Sequence, residues 1–548
     1  MLTVLKGTEI SRIPLRVIGV VPQKPSRQFA DLVLLKLLGG HKLAQGMSGS
    51  PVYVNGKLAG AIRSGWKDAD HTVAVMMPIE YMCMLTEYSD TPPVSLGEDD
   101  PPVSPLSRGD EMFRVFLPSL TTVTVSGLNV NTPAMLELSR KLGLTFTQGH
   151  GAGSGTLTEG TPTLRPGDSI AAMLVWGDVE VSALGTVTAT DRHGRFLAFG
   201  HEFTKCGASS FPSAGAYVYD VVDSVAFPFK IASTLGINGT ITQDREAGIA
   251  GKFGYYAPSV SGEFVFVDQD RESTETFKFR TVADEFMTDE IITDVCKGLA
   301  EESWGRKGQG TMMVDIRLEG RNVPNGWARR DIFFSEDNII GTAFKQVKAI
   351  VNAYLTQPFS ETMPAAFRVK VEATQSPKVL LIDDVVAPED ANPGDQIDVS
   401  VKLRGWRTEP VTRTFTLTIP EDASGVVELI VRGGGTQSFG QAGIEGGWRT
   451  ISSLEQLLTE FRAADGNNQL ILELNADRTG DIMRKIKNAR KKGAKSQAKK
   501  EREPDLLPEE EEYLSQTKER RIKEGTLRVY NSDYYIDGLM RRVIHTER

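Results

Sequence analysis

The chain has 548 residues, with 62 lysines and arginines against 71 aspartates and glutamates and a formal net charge of −9. At 40% hydrophobic and 24% charged residues it has the make-up of a globular protein of roughly three domains, and its acidic balance leaves no global footprint for nucleic acid. Cys83, Cys206 and Cys296 stand too far apart for a disulfide framework or a metal-ligand pattern; no cofactor is expected, and no apolar run approaches the ~20 residues that span a bilayer.

The first stretch, MLTVLKGTEISRIPLRVIGVV, lacks the long apolar core and small-residue cleavage site of a secretory signal. It reads as strand, turn and strand. Residues 1–90 continue as a β lobe: strands at Ile13 to Val21, Asp31 to Leu38 and Thr72 to Met77, then a short helix from Pro78 to Tyr88. Within this lobe lies GMSGSPVYVNGK, Gly46 to Lys57. Pro51 suits the first position of a strand, Val52 to Val54 favour extended backbone, and Asn55-Gly56 demands a tight hairpin turn. Ser48 is therefore expected on a glycine-hinged loop anchored by a hairpin.

Residues 91–110 are proline-rich and read as a linker. Residues 111–360 resume the β pattern. A helix capped by Thr132, opened by Pro133 and stopped by Gly143 interrupts it. AAMLVW, VSALGTVTAT, the turn DRHGR and FLAFGH follow. Helices near 282–303 and 341–355 carry apolar residues at helical spacing and are expected on the outside of the β core. Residues 361–475 have strands at sandwich-like spacing and a helix from Ser452 to Ala464, with Ser452 and Glu455 as a capping box. Residues 476–523 form a charged linker, strongly basic over Arg484 to Arg502. Residues 524–548 close the chain with a short strand pair. Trp66, Trp176 and Trp304 read as core or interface fillers.

A serine hydroxyl is a weak nucleophile at neutral pH and needs a neighbouring base and donors for the oxyanion. On Gly-Met-Ser-Gly, the glycines permit a bend that aims the Gly46 and Ser48 N–H groups at one point. Of six histidines, His193 lies in a hairpin turn, His150 in a glycine-rich loop and His545 near the chain end. His41 and His71 have nothing local to orient the ring. His201, after an apolar strand and a glycine, is the one placed to stand rigidly beside a cleft.

These motifs resemble a known family. GMSGSPVYVNGKLAGAI is similar to the serine-loop motif of the stage IV sporulation protein B (SpoIVB) peptidases, and VSALGTVTATDRHGRFLAFGHEF is similar to their histidine motif. The resemblance spans about 1–90 and 165–260. It implies a mostly β, chymotrypsin-like double β-barrel with a few peripheral helices, joined here to the sandwich-like domain. It implies a serine endopeptidase with Ser48 and His201 as the catalytic dyad, Gly46 and Ser48 N–H groups as the oxyanion hole, and a protein or peptide substrate. It also implies an extracytoplasmic setting if a leader precedes the chain, and otherwise the chain is cytoplasmic. The order departs from the family's namesake, since Ser48 precedes His201 and the lobes are permuted; triads tolerate this, recurring in several chain orders. No PDZ domain is recognised. The third residue stays open among Asp31, Asp220, Asp223 and Asp244, or none. The alternative is a non-catalytic binding or scaffold protein that keeps the fold.

Overall fold

The structure is a computed structural model. It describes residues 1–22, 31–88, 122–149, 163–224, 226–320, 323–360, 362–423, 425–436, 451–476 and 518–546. The linker at 91–110, His150 and the basic stretch at 484–502 lie outside these. The chain is mostly β and divides into two compact units. The first comprises residues 1–264, 276–302 and 363–367, the second 265–275, 303–362 and 368–548. Residues 303–362 thus group with the C-terminal residues and not with the histidine motif.

The first unit opens with a hairpin of β1 (Leu2–Lys6) and β2 (Glu9–Arg12). An antiparallel sheet follows, made of β3 (Leu15–Pro22), β4 (Asp31–Leu37), β5 (Pro51–Val54), β6 (Lys57–Ser64) and β7 (Val73–Pro78) in the order β3-β4-β7-β6-β5. Asn55 and Gly56 at the β5–β6 turn have φ of 50° and 77°, the signs a primed hairpin turn requires. The short helix α1 (Ile79–Cys83) runs into a 3-10 turn at Met84–Glu87. After β8 (Thr122–Ser126), the helix α2 (Pro133–Leu142) is capped as expected: the Thr132 hydroxyl accepts from Met135 N, and Gly143 ends it at φ 65°. β9 (Thr145–Gln148) pairs in parallel with β8.

Six strands then close on themselves. They are β10 (Ser169–Gly177), β11 (Glu180–Thr190), β12 (Arg195–Ala198), β13 (Gly207–Val222), β14 (Phe229–Arg245) and β15 (Gly248–Phe253). Antiparallel pairings run β10–β11–β12–β15–β14–β13 and back to β10. Closure removes the unpaired edges an open sheet exposes. Among the described residues only this ring closes, whereas a double barrel needs two; the serine-motif lobe is an open five-stranded sheet.

The next elements in the chain are β16 (Ser259–Asp268), β17 (Ser273–Val282) and helix α3 (Thr288–Trp304), of which residues 259–264, 276–282 and 288–302 belong to the first unit. This helix is not peripheral. Ile292, Val295, Cys296, Leu299 and Ala300 are fully buried. Lys141 on α2 is paired with Glu290 and Asp294 at 2.5 and 2.7 Å.

In the second unit, β18 (Gly310–Gly320) and β19 (Val323–Ser335) form a long hairpin under helix α4 (Ile339–Thr356). Then come β20 (Ala366–Thr374), β21 (Val379–Val386), β22 (Gln396–Gly405), β23 (Val411–Thr418), β24 (Gly425–Gly433), helix α5 (Leu454–Ala463), β25 (Gln469–Ala476), β26 (Leu527–Asn531), β27 (Tyr535–Asp537) and β28 (Leu539–Thr546). Two four-stranded sheets, β23-β22-β21-β27 and β26-β25-β24-β28, share an apolar core of alternating residues such as Val399, Val401, Leu429 and Val431. The C-terminal strands do not pair with each other, as the sequence suggested. β28 pairs with β24 and β26 with β25, because their apolar residues complete this core. The α5 cap is also shifted by one residue. Ser453, not Ser452, accepts from Gln456 N, and the Gln456 side chain reaches back to Ser452 N at 2.8 Å. Trp304 and Trp176 are buried, and Trp66 packs against the core formed by Ala61, Met77 and Met82.

Because β28 presents fully buried Ile544 to the core beside half-exposed Val543, the two positions should respond differently to truncation. Ile544→Ala is expected to cost roughly 2–5 kcal/mol and Val543→Ala under about 0.5 kcal/mol, read from urea unfolding midpoints.

Candidate active site

The serine loop leaves β4, bends twice and enters β5. Its bends sit at Gly46 and Gly49, with φ of +88° and +87°, a region that side chains resist and glycine tolerates. Ser50 N closes a turn on the Met47 carbonyl at 3.0 Å, and Gly49 N donates to the Ile62 carbonyl at 2.7 Å. The neighbouring hairpin therefore pins the loop. Among the described residues, the N–H groups of Gly46 and Ser48 donate to no acceptor. The Ser48 hydroxyl is fully buried and makes no hydrogen bond.

The histidine motif receives this loop. From β11, Thr186 N donates to the Ser48 carbonyl at 2.8 Å, Thr186 Oγ1 to the Gly46 carbonyl at 3.0 Å and Thr188 Oγ1 to the Gly49 carbonyl at 2.7 Å. The threonines of GTVT thus saturate three carbonyls of the serine loop. The approach is too close for side chains. A Cβ on Gly49 would stand 2.1 Å from the Thr186 carbonyl oxygen and 2.4 Å from Phe199 N. A Cβ on Gly185 would stand 2.3 Å from the Phe199 ring, and one on Gly200 2.7 Å from the Ile62 carbonyl oxygen.

His201 follows β12 through a tight reversal. Gly200 N bonds back to the Ala198 carbonyl at 2.8 Å around Phe199, whose φ is +66°. A three-residue γ-turn around a bulky residue at positive φ is a strained arrangement. The ring of His201 is 2% exposed. Its Nδ1 lies 2.6 Å from the Glu202 carbonyl oxygen. A carbonyl only accepts, so Nδ1 carries the proton and Nε2 keeps the lone pair a base needs. Burial lowers the ring's pKa to about 4, with the Arg63 guanidinium acting in the same direction and Glu202 opposing it. His201 is therefore a neutral imidazole at neutral pH.

Two side chains that sequence reasoning passed over hold this turn. Arg63 on β6 donates to the Glu246 carbonyl at 2.5 Å and the Gly200 carbonyl at 3.4 Å, and pairs with the Glu202 carboxylate at 3.4 Å. A buried arginine in the strand returning from the serine hairpin thus grips both neighbours of His201. Its one available signal was a lone charge in the apolar run GAIRSG.

The carboxylates considered as the third member are engaged elsewhere. Asp244 accepts from Phe203 N, Thr204 N, Thr204 Oγ1 and Lys205 N at 2.6–2.8 Å. It anchors the loop after His201, and burial raises its pKa against those donors. Asp223 pairs with Lys42 at the surface, Asp220 accepts from Val221 N, and Asp31 is exposed at the start of β4. The Glu202 carbonyl occupies the Nδ1 side of the ring in their stead. His193 is exposed, and His71 is buried against Phe227 with ring centroids 4.7 Å apart. Among the described residues no group of three or more His, Cys, Asp or Glu side chains is placed to hold a metal ion.

No protein-family profile, curated protein or solved structure matches this chain.

The His201 environment has a titration consequence. Its pKa is depressed in the folded chain, so the unfolded chain binds the extra proton first as pH falls from the ordinary value of 6.5 toward about 4. Stability is retained above that window and lost through it. Acidification from about pH 7 to about pH 5 should cost about 2 kcal/mol more in the native chain than in His201→Gln, measured by urea denaturation at both pH values.

Proposed function

We propose that this chain is a serine endopeptidase of the SpoIVB type, held in a closed state. One observation carries the reading: a fully buried hydroxyl, Ser48, has no hydrogen-bond partner and sits on a loop where two N–H groups are also uncommitted. Leaving a buried donor unmade costs about 1–3 kcal/mol; Ser64, Ser169, Thr293 and Thr546 carry a hydroxyl in the same condition, and Ser48, which is not bonded to His201 in this structure, differs in lying on the loop that docks on the histidine motif. A nucleophile flanked by oxyanion donors accounts for it. Three further features support the reading. The two motifs dock on one another, His201 is neutral with Nε2 as its lone-pair nitrogen, and the β10–β15 ring has antiparallel closure compatible with one lobe of a chymotrypsin-like pair.

In this mechanism His201 Nε2 takes the Ser48 proton as Oγ attacks the carbonyl carbon of a peptide. The Gly46 and Ser48 N–H groups bind the oxyanion that forms. His201 returns the proton to the leaving amine, and water then releases the acyl group by the same route in reverse. The Glu202 carbonyl holds the ring's tautomer, and Arg63 holds Gly200 and Glu202 on either side of it. A base with a pKa of about 4 is poorly matched to neutral pH. Admission of substrate and water to the site reverses the burial that lowers it.

The rival is a scaffold that retains the fold, and the full burial of Ser48 favours it. Covalent labelling separates the two. A fluorophosphonate probe should modify Ser48 in the native chain, faster in sub-denaturing urea as the loop opens. Ser48→Ala should abolish the adduct seen by mass spectrometry. His201→Ala should slow it by about 10²–10⁴-fold. Undiminished labelling of Ser48→Ala, or an inert Ser48 with and without urea, would sink the peptidase reading.

A further inference from the structure

Beside Gly46 of the serine loop lies a cavity of about 90 Å³. Its lining includes Gln45 and Gly46 from the serine loop, Thr122 and Thr124 from β8, Thr147 from β9 and Lys230 from β14. Lys230 is the unusual member. It is 5% exposed, and its Nζ makes one hydrogen bond, to Thr3 Oγ1 at 3.0 Å. Among the described residues it has no carboxylate partner. Its stem packs on the serine loop, since a Cβ on Gly46 would stand 3.1 Å from Lys230 Cδ. A buried ammonium without a counter-charge is costly, so burial lowers the amine's pKa to about 7. The hydroxyls of Thr122, Thr124 and Thr147 have no hydrogen-bond partner among the described residues either. The cavity is therefore lined by a buried lysine whose amine has no carboxylate partner and by threonines whose hydroxyls are uncommitted.

Its size limits what can enter. At about 30 Å³ per water in the liquid, it has room for about three waters. That admits a carboxylate group. We propose that this cavity is a carboxylate-binding subsite, in which Lys230 becomes charged and pairs with an acidic side chain or the terminal carboxylate of a bound peptide. Its wall is the residue two positions before Ser48, which makes it a recognition pocket for the substrate of the proposed peptidase. The binding chemistry itself does not depend on Ser48 being reactive.

The test is calorimetric titration of the full chain with N-acetyl-aspartate amide, N-acetylglycine and, as the uncharged control, N-acetyl-asparagine amide. At about pH 8, in two buffers of different ionisation enthalpy, carboxylate binding should draw protons from buffer onto the amine. The tighter of the two acids identifies a side chain or a chain terminus as the source. Lys230→Met should weaken binding by about thirty-fold or more while retaining the native thermal transition. Ser48→Ala should leave binding unchanged. Equal affinity for the asparagine control, absence of proton uptake, or full binding by a folded Lys230→Met would overturn the subsite. Carboxylate binding with an inert Ser48 would keep the subsite and remove the peptidase. Labelling at Ser48 without carboxylate binding would do the reverse.

Discussion

The docking of one glycine-hinged loop onto one threonine-bearing strand organises the first unit. Thr186 and Thr188 saturate the carbonyls of Gly46, Ser48 and Gly49, and Gly49, Gly185 and Gly200 permit the approach that makes this geometry available. Backbone carbonyls buried without donors would each carry a desolvation penalty. Satisfying them from β11 turns a loop between two strands of an open sheet into part of the closed ring's surface. The same contacts leave the Ser48 hydroxyl and two N–H groups without partners among the described residues.

That incompleteness and the neutral state of His201 have a common cause. Both groups are removed from water, which raises the cost of any unmade hydrogen bond and of any charge. Arg63, Glu202 and Asp244 do not bond to the Ser48 hydroxyl. They hold the backbone on both sides of His201, through Gly200 before it and through Glu202 and the 203–205 amides after it. The strained turn at Phe199 persists because these contacts over-determine it. Lys230 belongs to the same pattern, an ionisable group buried beside the loop with its charge unbalanced.

The second unit follows a simpler rule. Its two sheets bury alternating apolar residues against each other, and the chain's last strands supply edges to both. Arg329 is buried there, bonded to Asp331 and to the carbonyls of Phe461, Ala464 and Asp465. This pairs the end of α5 with the β18–β19 hairpin through hydrogen bonds that satisfy a buried charge.

Local rules sufficed for local features. The Asn55-Gly56 turn, the Thr132 and Gly143 helix boundaries, and the strands of the sandwich were all legible, because φ preference, capping and period-two alternation act over a few residues. The bends at Gly46 and Gly49 were legible for the same reason. Features set by distant partners were not. Ser453 rather than Ser452 capping α5, and burial of α3, depend on what each element packs against. So does the pairing of β26 and β28 with strands far upstream. The roles of Arg63 and Asp244, the closure of one ring and the sealing of Ser48 were invisible for that reason too: burial and charge are properties of the surroundings, and residues far apart in the chain supply them.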